Sequence, residues 1–164
     1  MRLQLVPDDE IDDWDPWRPS APRLRPSASS RLNALRRSFY EDALSAIGPG
    51  RPIRVATYVF AARGVDVDAA HAMLAEHARD RGWTVHRDRF TDEPTGGPLP
   101  ARPQFNRACR HAGSGFADGV LASGRGAMPT TDEAYESYLR WLRDRYAFLA
   151  FQQPAIGGTP WTDR

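Results

Sequence analysis

Residues 53–62, Ile53-Arg54-Val55-Ala56-Thr57-Tyr58-Val59-Phe60-Ala61-Ala62, decide the fold. The stretch 53–59 is dense in β-branched and apolar side chains and reads as a strand buried on both faces. It runs directly into Phe60-Ala61-Ala62, and a short loop with Arg63 and Gly64 follows. Asp66 and Asp68 then suit the start of a helix over 67–81, because short acidic side chains satisfy the free amides of a first turn.

Outward from this unit the chain keeps alternating. Strands are expected at 84–90, 116–122 and 147–152, and helices at 103–112 and 131–145. Strand and helix in strict succession imply right-handed crossovers and a parallel sheet covered by helices. Thr130 with Glu133 has the spacing of a capping box for the last helix, and Arg140, Arg143 and Arg145 suit its negative end. Tyr135, Tyr138, Leu139, Leu142 and Tyr146 recur at helical spacing and read as a core stripe. A further amphipathic helix over 30–47 precedes the first strand, with Ser29 or Ser30 as its cap and Gly48-Pro49-Gly50 as its stop.

Spacing and local motifs over residues 54–153 resemble the catalytic domain of the serine recombinases, the resolvase and invertase family. Gly82-Trp83-Thr84-Val85, Phe90-Thr91-Asp92, Arg102-Pro103 with Phe105, and the strand at 117–122 stand where that family has its second strand, an aromatic-x-Asp loop, an Arg-Pro-x-Phe segment and its third strand. The resemblance implies a three-layer α/β domain with a small, mostly parallel sheet of about four strands flanked by helices, preceded here by an extra helix and arm. It also implies a site, and that site is degraded. The family's Tyr-x-Arg-x-Ser becomes Tyr58-Val59-Phe60-Ala61-Ala62, with Ala62 at the nucleophile and Phe60 at the arginine. The family's Asp-Arg-Leu-x-Arg run becomes Gly124-Arg125-Gly126-Ala127-Met128 and keeps Arg125 alone. Alanine cannot form a phosphoserine linkage, and a phenyl ring cannot donate to phosphate. The expected function is a catalytically inactive recombinase-like domain serving as a protein-interaction or regulatory module. Two alternatives remain open: a recombination-associated DNA binder that retains phosphate contacts, and a small nucleotide- or phosphate-binding α/β enzyme.

In a parallel α/β sheet ligands gather beyond the carboxyl ends of the strands. The loops there offer Arg63, Arg102 and Arg125, with Thr130 and Thr131, as a set that could hold phosphate or a carboxylate; glycine-rich turns with solvated arginines are the plainer alternative. Asp92 is the one candidate acid or base for the enzyme alternative. The residues 113–119, Gly113-Ser114-Gly115-Phe116-Ala117-Asp118-Gly119, follow a helix and precede a strand, the wrong order for a dinucleotide loop.

Three segments are expected: an arm over 1–28, one domain over 29–153 with the extra helix at 30–47 and the core at 51–153, and a tail over 154–164. Prolines interrupt the arm, yet Asp8-Asp9-Glu10-Ile11-Asp12-Asp13-Trp14-Asp15-Pro16-Trp17 sets Trp14 and Trp17 in an acidic run. Such tryptophans either dock on a partner or fold back onto the protein's own surface.

All 22 basic residues are arginine, which points to a GC-rich coding sequence of a high-GC bacterium. A net charge of +1 leaves nucleic-acid binding to a local patch, so DNA is the weaker partner and a protein partner or homodimer the stronger. The single cysteine, Cys109, excludes an internal disulfide and is read as structural. The histidines lack zinc-ligand spacing, no cofactor motif is present, and no membrane span or leader is visible, so a cytoplasmic protein without cofactor is expected.

Overall fold

The computed structural model describes residues 25–94 and 101–152. Its elements are α1 (Ala28–Ile47), β1 (Arg54–Phe60), α2 (Val67–Asp80), β2 (Thr84–Asp92), α3 (Pro103–Gly113), β3 (Gly119–Ala122), α4 (Asp132–Arg143) and β4 (Phe148–Phe151), with a 3-10 turn at Arg125–Ala127. The strands form one sheet in the order β2-β1-β3-β4, and every pairing is parallel. The expected α/β architecture is therefore present.

Alternation along the strands divides the core in two. Ala56, Tyr58, Val120, Ala122 and Leu149 face the apolar stripes of α3 and α4. Val55, Val59, Leu121, Phe148 and Ala150 face Leu74 and Ala78 of α2 together with Trp83. Helix α1 belongs to both clusters, through Leu32 and Phe39 in the first and Ala43 in the second. It lies along β4, the outermost strand on that side, and Arg36 Nη1 donates to the Leu149 carbonyl at 3.4 Å. The helix added before the first strand thus covers a sheet edge and satisfies one of its backbone acceptors.

Gly119 is fixed by packing. A Cβ there would stand 2.4 Å from Cε2 of Phe148 on the neighbouring strand, inside van der Waals contact. Just before it, Asp118 accepts from the Arg54 amide at 2.8 Å and from both terminal nitrogens of Arg51, at 3.2 and 2.7 Å. These bonds tie the entry of β3 to the entry of β1.

Boundaries differ from expectation where long-range bonds intervene. Helix α1 starts at Ala28 because Ser27 caps it, accepting from Ser30 N. Strand β2 continues to Asp92 because Thr91 and Asp92 pair with Val59 and Phe60. The cap of α4 is Thr131, whose Oγ1 accepts from Ala134 N at 3.3 Å, and not Thr130. Among the described residues no helix is long and apolar enough to cross a membrane. The Trp14 and Trp17 arm and the 154–164 tail lie outside the described residues.

Candidate anion site at the strand ends

Strand β1 delivers Tyr58 and Phe60 to the same face near its carboxyl end. Tyr58 is fully buried, and its hydroxyl donates to Asp92 Oδ2 at 3.3 Å. Burial, with the Asp92 charge, pushes the phenol far above its usual range, while Arg102 acts against that rise. Tyr58 is therefore a fixed donor. The chain after Phe60 is held by Ala61 N to the Asp92 carbonyl at 2.8 Å and Ala62 N to the Phe60 carbonyl at 2.9 Å. The side chains at the end of β1 are thus one phenyl ring and two methyl groups.

Asp92 is put to a structural use. Arg102 occupies the position before α3 and provides no side-chain acceptor for the first turn. Asp92 supplies it from β2, accepting from Gln104 N at 3.1 Å through Oδ1 and from Phe105 N at 2.8 Å through Oδ2. With Tyr58 on Oδ2 as well, both oxygens of this buried carboxylate are engaged, Oδ1 by one donor and Oδ2 by two.

Arg102 is 2 % exposed. Its guanidinium carbon lies 4.1 Å from the centroid of the Phe60 ring, and Nη2 donates to the Pro129 carbonyl at 3.0 Å. Nε and Nη1 are buried and make no hydrogen bond of ordinary geometry, although the guanidinium is close enough to the Tyr58 hydroxyl to oppose the rise of that phenol. A buried cation with unused donors is costly, and groups of this kind mark places where an anion can be received.

Arg125 is differently employed. It donates to the carbonyls of Met128 and Thr130, the latter at 3.1 Å, and to Asp132 Oδ1 at 3.2 Å, and it lies 4.3 Å from the Tyr135 ring centroid. These contacts engage Nη1 and Nη2 in closing the turn before α4. The successive carbonyls of Met128, Pro129 and Thr130 are thus held by Arg125, Arg102 and Arg125 in turn. Thr131 is spent on its cap. Arg63 stands exposed in the β1–α2 loop and makes no hydrogen bond or ion pair with another described residue. The structure therefore brings Arg102, Arg125, Thr130 and Thr131 to one turn and leaves Arg63 outside that network.

A buried polar chain nearby escaped the sequence reading. His71 on α2 joins Thr57 Oγ1 through Nδ1 and Thr91 Oγ1 through Nε2, both at 2.8 Å. Burial, reinforced by the Arg89 charge and opposed by Asp68, lowers the imidazole to about 4, so the ring is neutral. Thr57 is itself 1 % exposed and cannot serve as a surface nucleophile. Cys109 is buried, and burial pushes its thiol well above the ordinary range.

No protein-family model and no curated protein matches the sequence. The crystal structure of the N-terminal catalytic domain of TP901-1 integrase is similar in fold, with a TM-score of 0.52 and 20% identity over 60% of this chain and 77% of that one. The fold is resolvase-like. Within such a domain the Ala61-Ala62 turn, the buried Arg102 and the engaged Arg125 follow the carboxyl ends of β1, β2 and β3 in turn, where parallel sheets receive ligands.

Proposed function

We propose that this resolvase-like domain carries out no phosphoryl transfer and works by binding, as a protein-interaction or regulatory module. The observation that carries the proposal is the contact of Arg102 with Phe60. Where the serine recombinase pattern has an arginine and a serine hydroxyl after the tyrosine, this chain has a phenyl ring under a guanidinium and the methyl group of Ala62. Met128, at the position of the pattern's second arginine, is fully buried. A step through a covalent phosphoserine needs an activated hydroxyl and clustered cations around the phosphate, and neither is available at these positions.

A second reading is supported by Nε and Nη1 of Arg102: retained contact with phosphate, with DNA bound and not cut. The nucleotide-enzyme alternative would have to use an Asp92 that already holds two α3 amides and the Tyr58 hydroxyl. Fluorescence anisotropy of duplex DNA over a salt series, with wild type beside Arg102→Ala, separates the remaining two. Binding absent near physiological salt is the expected result for an interaction module. Salt-dependent binding that is lost in Arg102→Ala assigns the protein to the phosphate-binding reading. A covalent protein–DNA adduct in denaturing gels overturns both.

A further inference from the structure

Between α3 and α4 runs a groove of about 470 Å³, lined by Asn106, Cys109, Arg110, Ser137, Tyr138 and Trp141 among others. Its apolar part is packed. Cys109 is buried, Tyr138 and Trp141 are half-buried, and the Tyr138 hydroxyl donates to Asn106 Oδ1 at 2.6 Å. Its rim is basic. Helix α3 carries no acidic residue, and its exposed Arg107 and Arg110 make no hydrogen bond or ion pair with another described residue.

The chain itself contains a segment of complementary chemistry. Residues 1–24 hold six acidic and three basic side chains, whereas residues 25–164 hold fifteen acidic and nineteen basic ones. Within the acidic run, Ile11, Trp14 and Trp17 offer apolar surface between carboxylates. The attachment point is close to the groove. Arg31, in the first turns of α1, donates to Glu136 of α4 at 2.8 Å, so the chain enters the domain beside α4. From there residues 18–24, extended, span about 23 Å, whereas a helix with its side chains is about 10 Å across.

We propose that residues 8–17 dock in the α3–α4 groove of their own chain, with the indoles of Trp14 and Trp17 on Tyr138 and Trp141 and the carboxylates facing Arg107 and Arg110. Aromatic anchors in an apolar groove supply the affinity, and the opposed charges set orientation. Docked there, the arm screens the cations of α3 from any other polyanion, so it acts as a built-in competitor for that face.

The test uses the ¹⁵N-labelled full-length chain with a nitroxide at Glu133→Cys, an exposed site one turn before Ser137; the native Cys109 is buried and does not compete for the label. The indole N–H signals of Trp14 and Trp17, assigned by Trp→Phe variants, are expected to lose most of their intensity. A nitroxide at Glu76→Cys on α2 is expected to leave them sharp. Reversing the charge in Arg107→Glu/Arg110→Glu is expected to restore them with the Glu133→Cys label present. Indole signals that stay sharp with the Glu133→Cys label overturn the proposal. Broadening that appears only when label and ¹⁵N are on different molecules also overturns it, and gives the groove to the arm of a second copy.

Discussion

The guanidinium of Arg102 is stacked on the ring of Phe60, and this contact joins the start of α3 to the end of β1. The pair is unequal in what it contributes. Phe60 gives the cation a π face, worth about 0.5–2 kcal/mol, while the unused Nε and Nη1 of Arg102 carry an unrecovered desolvation cost.

Arg102→Met, which keeps the length of the side chain and removes the charge, is therefore expected to leave stability unchanged or raise it by about 1 kcal/mol. Urea denaturation measures this. A loss of more than about 2 kcal/mol would show that Arg102 is principally a structural strut, and the case for an anion at this position would fail.

Asp92→Ala removes the acceptor for two α3 amides and the partner of the Tyr58 hydroxyl in one step. The expected cost is about 2–4 kcal/mol, since three donors, two of them in buried bonds, lose their acceptor. Phe105→Leu in the same background tests additivity: the two sites are in contact, so the double variant is expected to lose less than the sum.

Stability should rise with pH between about 4 and 6.5, the range set by His71. Its folded value is depressed below that of the unfolded chain, so the unfolded state binds the extra proton in this window and folding is favoured as pH increases. Urea midpoints at pH 4.5 and 7.5 measure the difference. His71→Gln, which keeps a polar group between Thr57 and Thr91, is expected to flatten that part of the profile. An unchanged profile would mean that other groups govern acid unfolding.

Gly119→Ala places a methyl group against the Phe148 ring, with an expected loss of about 1–3 kcal/mol. Phe148→Leu alone leaves a cavity and also destabilises. Together the two changes partly compensate, so a coupling energy of stabilising sign in the double-mutant cycle checks the contact.

The architecture was legible because β1 and the helices carry their periodicity in adjacent residues. Burial of β1 on both faces followed from the run at 53–59, and the stripe of α4 followed from Tyr135, Leu139 and Leu142. The site was less legible because its key partners are far apart in sequence. Asp92 caps a helix whose first residue is eleven positions later, and nothing local to Asp92 separates a cap from a general base. The turn that Arg125 closes was not legible because its acceptors are main-chain carbonyls of residues 128 and 130, and sequence carries no sign of carbonyl direction. The one-residue displacement of the α4 cap has the same origin: Thr130 and Thr131 both suit the role, and the closing of the turn by Arg125 selects the second.

Helix α1 has one more effect. With β4 covered, the uncovered edge of the sheet among the described residues is on β2, and that strand bears Arg87, Asp88 and Arg89, exposed in succession. Cross-β growth needs a neutral strand able to accept an identical neighbour. Here one flank is blocked by a helix and the other carries three consecutive exposed charged side chains that a neutral, identical neighbour would have to desolvate, so the sheet resists templating its own aggregation.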